Sequence, residues 1–169
     1  MITVHGRTRC QFYSGKADWE AIQAVREAIS VPLTVNGDIV DLTSADDARS
    51  RSGADAVMIG RAAQGRPWIF REIAHFLATG TQLASPLVAE VKRLLCEHLQ
   101  DHYDLYGEYA GVRTARKHIA WYVRDLPGGE VFRQQMNQIE DSQIQFDAVT
   151  HYFDQLAELY ERLPQVKDE

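Results

Sequence analysis

VPLTVNGDIVDLTSADDARSRSGADAVMIGR, residues 31–61, contains two short β-rich runs separated by a polar helical pattern. The β-rich runs cover residues 31–35 and 54–59, and the helical pattern covers 43–52 with Gly53 directly after its end. Glycine at that position is typical of a helix C-terminus. A strand, a helix and a second strand in this order predict parallel strands joined by a helical crossover.

The same alternation begins upstream of this stretch. Ile2–His5 is a strand candidate, and residues 18–29 have the 3/4 apolar spacing of an amphipathic helix with Asp18 as its N-cap. The first 80 residues therefore predict an α/β unit of three parallel strands with helices on one side.

Polar or glycine-containing groups follow each predicted strand: His5-Gly6-Arg7, Asn36-Gly37-Asp38 and Gly60-Arg61. The carboxyl ends of parallel strands meet at one edge, where glycine lets a ligand approach the backbone and arginine adds a charged fork. Each group alone has an ordinary explanation, since Asn-Gly-Asp is a common turn and a histidine can be structural. Together, on successive strand ends, they predict a phosphate or nucleotide site.

The second half of the chain is helical in pattern. Residues 66–70 lead into an apolar helix that ends near Gly80, and 84–86 form a short linker. We therefore place a domain boundary there, with domains at 1–85 and 86–169. The helices predicted after it cover 86–106, 111–124, 131–139 and 142–163. Their short connections favour an antiparallel bundle.

The helix predicted over 111–124 carries a basic face. Arg113, Arg116, Lys117 and Arg124 fall within an arc of roughly 100° when wound at the helical period. This face is either an ordinary solvent-exposed surface or a contact for nucleic-acid phosphates. Trp121, which flanks it, could stack on a base, although packing is the more common role.

Composition excludes several classes of protein. The chain has 169 residues, 45% hydrophobic and 25% charged, with a net charge of -6. Cys10 and Cys96 are too far apart for a CxxC pair, so we expect neither a disulfide scaffold nor a metal site. No apolar run reaches the roughly 20 residues of a membrane span, and the N-terminus has no secretory pattern. We expect a cytoplasmic protein without a membrane or DNA partner.

Four stretches of this sequence resemble the tRNA-dihydrouridine synthases. TVHGRTR (3–9), VNGDI (35–39) and GADAVMIGRAAQGRPWIF (53–70) are similar to the family as a whole. RTARKHIAWY (113–122) resembles its bacterial B-type branch. The resemblance extends over nearly the whole chain, and the run at 53–70 is its most specific part.

The resemblance implies an FMN-binding (β/α)₈ TIM barrel followed by a helical tRNA-binding domain. It implies reduction of the C5–C6 double bond of selected uridines in tRNA, with NADPH as the reductant and FMN as the hydride carrier. It assigns His5 to the flavin, Asn36, Gly37 and Asp38 to the ribityl-phosphate, and Gly60 and Arg61 to the phosphate. The residues expected to contact tRNA are Arg7, Arg113, Arg116, Lys117 and Arg124.

The chain departs from the family pattern in its length. A barrel of this type needs eight strands in about 250 residues, and three are predicted here, matching the sixth to the eighth. The family's proton-donating cysteine is expected outside this chain, and neither Cys10 nor Cys96 matches its motif. Three hypotheses stay open: part of a dihydrouridine synthase, a non-catalytic tRNA-binding fragment, or another phosphate-binding barrel enzyme. The 113–122 stretch disfavours the last, and the oligomeric state stays open.

Overall fold

A computed structural model describes residues 1–164 of the chain. The last five residues of the predicted helical domain, 165–169, lie outside the described residues. The chain divides into two compact units between Leu83 and Ala84.

The first unit alternates strands and helices. Its elements are β1 (Ile2–His5), α1 (Gln23–Ala28), β2 (Leu33–Asn36), α2 (Leu42–Ser52), β3 (Ala56–Met58) and α3 (Ile69–Thr79). Single 3₁₀ turns occupy Arg9–Gln11, Glu20–Ile22 and Arg61–Ala63. The strands lie in the order β1-β2-β3 and both pairs are parallel, so the predicted parallel sheet is confirmed.

The strand register separates an apolar face from an open one. Val35 lies between Val4 and Val57, and this face packs against the helices. The core there consists of the following buried residues: Ile22, Leu33, Val35, Ile39, Ala45, Ala48, Ala54, Ile69 and Ile73. On the opposite face, His5 and Met58 flank Asn36 and are exposed. Parallel sheets are normally covered on both faces, so one covered face is unusual for this architecture.

The first helix is shorter than predicted. Asp18 Oδ1 accepts the Ala21 amide at 3.0 Å, as an N-cap does, but the chain first makes a 3₁₀ turn. The α-helix then covers only Gln23–Ala28, because Ile29 is already extended with φ -127°. By contrast, α2 ends where predicted, with Gly53 in the left-handed conformation at φ 67°.

The second unit consists of helices α4 (Val88–Val123), α5 (Gly129–Met136) and α6 (Ser142–Leu159). Gly107 interrupts α4 with φ 70° and ψ 176°, which gives one leg over 88–106 and a second over 108–123. The predicted four-residue gap between these legs is therefore a single residue. Helix α4 packs against α5 and α6, with Leu99, Ile119 and Phe153 fully or almost fully buried. The predicted bundle topology stays a prediction.

Within residues 1–164, no helix combines the length and apolar character needed to cross a bilayer.

The break at Gly107 generates a prediction about stability. Its φ and ψ lie in a region open almost only to glycine, and a Cβ there would meet no atom within 4 Å. Gly107→Ala should therefore cost about 1–3 kcal/mol of unfolding free energy through backbone strain alone. Urea denaturation measures this cost. Leu105→Ala, at a neighbouring exposed position, is the control and should change stability by less than about 0.5 kcal/mol. Equal effects of the two substitutions would contradict the assigned strain.

Candidate functional site at the carboxyl edge of the sheet

Arg7 connects the loops at the carboxyl edge of the sheet. Its side chain is only 4% exposed. Nη2 donates to Asp38 Oδ2 at 2.5 Å and to the Gly15 carbonyl at 2.7 Å, and Nε donates to the Ser14 carbonyl at 3.2 Å. The guanidinium therefore ties the loop after β1 to the loop after β2. Its remaining nitrogen, Nη1, is buried without a hydrogen-bond partner among the described residues.

Asp38 is the shared acceptor of this edge. Its Oδ2 also accepts the Ala17 amide at 2.8 Å, and Arg61 Nη2 lies 3.7 Å from Oδ1. Burial raises the pKa of Asp38, but the Arg7 and Ala17 hydrogen bonds and the charges of Arg7 and Arg61 outweigh it. The net result is a pKa below the ordinary value of 3.8, so the carboxylate is ionised at neutral pH. Two guanidinium groups share one carboxylate, which leaves a net positive charge at this edge.

Gly37 occupies a position that only glycine fits. Its φ is 116°, and a Cβ would come within 2.9 Å of the Ala17 Cβ and 3.1 Å of His5 Cε1. The Gly37 carbonyl accepts the indole N–H of Trp19 at 2.8 Å. The turn after β2 is therefore packed tightly against the loop after β1.

His5 and Asn36 are held by single hydrogen bonds. His5 Nδ1 accepts the Arg7 amide at 3.0 Å, which favours the tautomer with a proton on Nε2. Asn36 Nδ2 donates to the Met58 carbonyl at 2.7 Å, which ties it to β3. Since each group is committed through one atom, His5 Nε2 and Asn36 Oδ1 are left to contact a ligand.

Gly60 and Arg61 form the open part of the edge. A Cβ at Gly60 would meet no atom within 4 Å, and the Arg61 side chain is 65% exposed. The Arg61 guanidinium lies 4.7 Å from the Tyr13 ring centroid. Phe12 and Tyr13 are both strongly exposed, and sequence reasoning missed them. Two adjacent aromatics before Ser14-Gly15 were the available signal.

The structure brings five predicted site residues into direct contact or close approach: His5, Arg7, Gly37, Asp38 and Arg61. Asn36 and Gly60 lie in the adjoining strand end and loop. Arg7 differs from expectation in its surroundings, because it is buried among protein acceptors rather than presented to a substrate. Its observed contacts are those of a loop anchor.

Two of the four basic residues on the predicted face of the second unit, Arg113 and Arg116, bind to other parts of the protein. Arg113 pairs with Glu140 at 2.8 Å, and its guanidinium lies 3.8 Å from the Tyr109 ring centroid. Arg116 donates to the Ile139 carbonyl at 2.7 Å. Both partners belong to the segment after α5, which sequence periodicity on α4 could not reveal. These two arginines help to hold that segment against α4.

Lys117 and Arg124 keep uncompensated charges. Neither pairs with a carboxylate among residues 1–164, and both are exposed. Lys117 Nζ lies 5.6 Å from the Trp121 ring centroid. Arg124 also lines a surface depression of about 300 Å³, together with Trp121 and the paired Glu130 and Arg133. This is the part of the predicted face that could meet a phosphate backbone.

Neither cysteine takes part in the hydrogen bonds and ion pairs of the site or of the basic face described above. Cys10 is exposed in the turn after β1, and Cys96 Sγ lies 3.8 Å from Thr150 Oγ1 in the second unit. Burial raises the pKa of the Cys96 thiol, so this group is less reactive than an ordinary cysteine.

The Arg7–Asp38 pair predicts a pH-dependent stability. Because the pKa of Asp38 is lowered by folding, its contribution is present above about pH 4 and is lost as pH falls through the folded-state pKa. Asp38→Asn should cost about 3–5 kcal/mol at pH 7, since it leaves buried Arg7 without a counter-charge. It should also flatten the decline in stability below about pH 4.

Urea denaturation at several pH values measures both effects. Asp46→Asn, at an exposed position on α2, is the matched control and should behave like the unmodified chain. An Asp38→Asn variant with an unchanged acid decline would show that this carboxylate is not the stabilising group.

The chain matches one protein family and several curated bacterial proteins. The family model described as dihydrouridine synthase matches residues 1–158. The chain is 49% identical over 156 residues to tRNA-dihydrouridine synthase B of Pectobacterium carotovorum, and 48% identical to that of Escherichia coli K12. Each alignment covers 92% of this chain and 49% of the relative, so the chain spans about half the length of these curated relatives. By the extent of the family match, the chain belongs to the dihydrouridine synthase family.

Proposed function

We propose that this chain is the C-terminal part of a flavin-dependent tRNA-dihydrouridine synthase. In this proposal the first unit supplies one side of an FMN site in a TIM barrel, and the second unit supplies a tRNA-binding surface. The whole protein would reduce the C5–C6 double bond of selected uridines in tRNA with NADPH as the reductant. The observation that carries the proposal is the cluster Arg7–Asp38–Arg61, which leaves an exposed guanidinium at the carboxyl edge of a parallel sheet.

The open part of this edge fits the phosphate of FMN. Phosphate sites in barrels are commonly built from the loops after the last two strands. Here the loop after β3 carries Gly60 and Arg61. No protein atom lies within 4 Å of where a Gly60 Cβ would be, and the Arg61 side chain is exposed. Arg61 would hold the phosphate by a charge-assisted hydrogen bond. Asp38 would act indirectly by orienting the two guanidinium groups, because its own charge repels a phosphate.

Two further groups fit the remainder of the cofactor. The Nε2–H of His5 can donate to a carbonyl or ring nitrogen, and Asn36 Oδ1 can accept from a ribityl hydroxyl. When bound, FMN supplies the hydride that it receives from NADPH. The residues of this chain bind and orient the cofactor, and the proton donor to uracil is expected from the other half of the protein.

The open face of the sheet also supports this proposal. His5, Asn36 and Met58 share a face that no helix of the first unit covers, and β1 and β3 each pair with one strand only among the described residues. Additional strands of a closed barrel would cover that face and satisfy both edges. The half-length match to the relatives leaves room for those strands.

For the second unit, Lys117 and Arg124 support binding to tRNA. Their charges are unpaired, and Trp121 between them offers an aromatic surface. The relatives are named tRNA-dihydrouridine synthase B, which identifies tRNA as their substrate. A second candidate function is tRNA binding without catalysis, which the half-length of the chain favours for the piece alone.

The phosphate role of Arg61 can be tested in a full-length protein that contains this chain. Arg61→Ala should raise the Kd for FMN by about 10–150-fold, because a charge-assisted contact contributes about 1.5–3 kcal/mol. Fluorescence titration of the apoprotein with FMN measures the change. The control is Arg51→Ala on α2. It removes an exposed guanidinium that pairs with Glu20, and it should leave FMN binding unchanged. Equal FMN affinity in the Arg61 variant and the parent protein would show that Arg61 does not bind the phosphate.

The tRNA role of Lys117 and Arg124 can be tested by the salt dependence of binding. Replacing both by alanine should weaken binding to all tRNAs alike and reduce the slope of log K against log salt by about 1–2. The matched control replaces Lys92 and Arg93, whose charges are already paired with Asp154 and Glu97 and which lie outside that depression. An unaltered slope in the Lys117/Arg124 variant would show that these residues do not contact tRNA phosphates.

A further inference from the structure

Three histidines meet inside the fold-back of α4. His98 and His102 are one helical turn apart on the first leg, and His118 approaches them from the second. The His118 ring centroid lies 4.8 Å from that of His98 and 5.1 Å from that of His102. One ring nitrogen of each histidine lies within 4.8 Å of the other two. Because His118 is distant in sequence from His98 and His102, no local sequence motif predicts this cluster.

A hydrogen bond to Thr114 fixes the tautomer of His102. Thr114 Oγ1 donates to the Ala110 carbonyl at 2.7 Å, so it accepts from His102 Nε2 at 2.7 Å. His102 therefore carries its proton on Nε2 and keeps a lone pair on Nδ1. Metal-binding histidines are typically oriented in this way, by a hydrogen bond from the second ring nitrogen.

Two of the three imidazoles, His102 and His118, are held in the uncharged form that binds a metal. Burial lowers the pKa of His102 and, with the neighbouring histidines and Lys117, lowers that of His118 to about 4. At neutral pH the rings of His102 and His118 are therefore uncharged, and each keeps one unprotonated nitrogen. Neither His98 nor His118 has a protein hydrogen-bond partner in the described part of the chain. The cluster is thus a set of unused nitrogen donors.

We propose that His98, His102 and His118 form a binding site for Zn²⁺, a function that the flavin and tRNA surfaces do not require. Three imidazoles without a carboxylate suit zinc and exclude magnesium and calcium, which prefer oxygen ligands. Zinc at about 2.0–2.1 Å from each nitrogen brings the donors closer together than 4.8 Å, and side-chain rotation of half-buried His98 and His118 supplies that movement. The fourth position would hold water. This proposal departs from the sequence expectation that the chain has no metal site.

Bound zinc would join the two legs of α4 across Gly107. Because two ligands come from the first leg and one from the second, the metal would stabilise their antiparallel packing. The charge of Lys117 opposes binding, and its amine lies 5.6 Å from the Trp121 ring centroid. The site therefore has a structural consequence that can be measured without any enzyme activity.

The test is a calorimetric titration of the untagged, chelator-treated chain with ZnCl₂ at pH 7.5. We expect one equivalent to bind and to raise the Tm. His98→Gln and His118→Gln should each weaken binding by at least about tenfold, because each removes a ligand. His151→Gln, at an exposed position on α6, is the matched control and should bind like the unmodified chain. Co²⁺ should give the intense visible absorption of a tetrahedral nitrogen site.

Two results would overturn the proposal. One is the lack of any stoichiometric zinc binding by the unmodified chain. The other is binding that survives in His98→Gln as well as in the control, which would identify adventitious surface binding. Circular dichroism verifies that each variant is folded. If His118→Gln does not fold, His98→Gln decides the question alone, since this half-buried position tolerates a polar side chain.

Discussion

The contact between Arg7 and Asp38 organises the candidate site, because it joins two loops that the sheet alone leaves independent. A buried guanidinium is costly unless its donors are engaged, and here Nε and Nη2 donate to one carboxylate and two carbonyls. The same carboxylate orders Ala17 and lies near Arg61. One ion pair therefore shapes the loop after β1, neutralises Asp38 and leaves Arg61 as the charged group that faces outward. The phosphate proposal depends on this division of roles.

Much of the first unit was predictable from local patterns. The strand–helix–strand order and the glycine after α2 determined a parallel sheet, and the loop residues fell at one edge as expected. What sequence could not reveal was how those side chains pair. Arg7 and Asp38 are 31 positions apart, and nothing in their local patterns shows that the arginine turns inward to become a loop anchor. Its assignment to substrate stays a prediction that its burial does not favour.

In the second unit, too, local sequence patterns did not reveal which side chains pair. Helical periodicity grouped Arg113 with Lys117, but Glu140 compensates Arg113 from 27 positions away. Periodicity also placed the end of the first leg near Tyr106 without showing that a single glycine reverses the chain. That reversal brings His118 to His98 and His102, so the histidine cluster is a product of tertiary structure. The spacing of His98 and His102 was the only part visible in the sequence.

We propose, above all, that this chain forms part of an enzyme that makes dihydrouridine. The most direct measurement incubates the purified full-length protein containing it with NADPH and with tRNA that lacks dihydrouridine. Mass spectrometry of the nucleosides then detects reduced uridine. The account predicts flavin in the purified protein and dihydrouridine in the tRNA, formed only when reductant is present. A folded full-length protein that binds tRNA but contains no flavin and forms no dihydrouridine would contradict it.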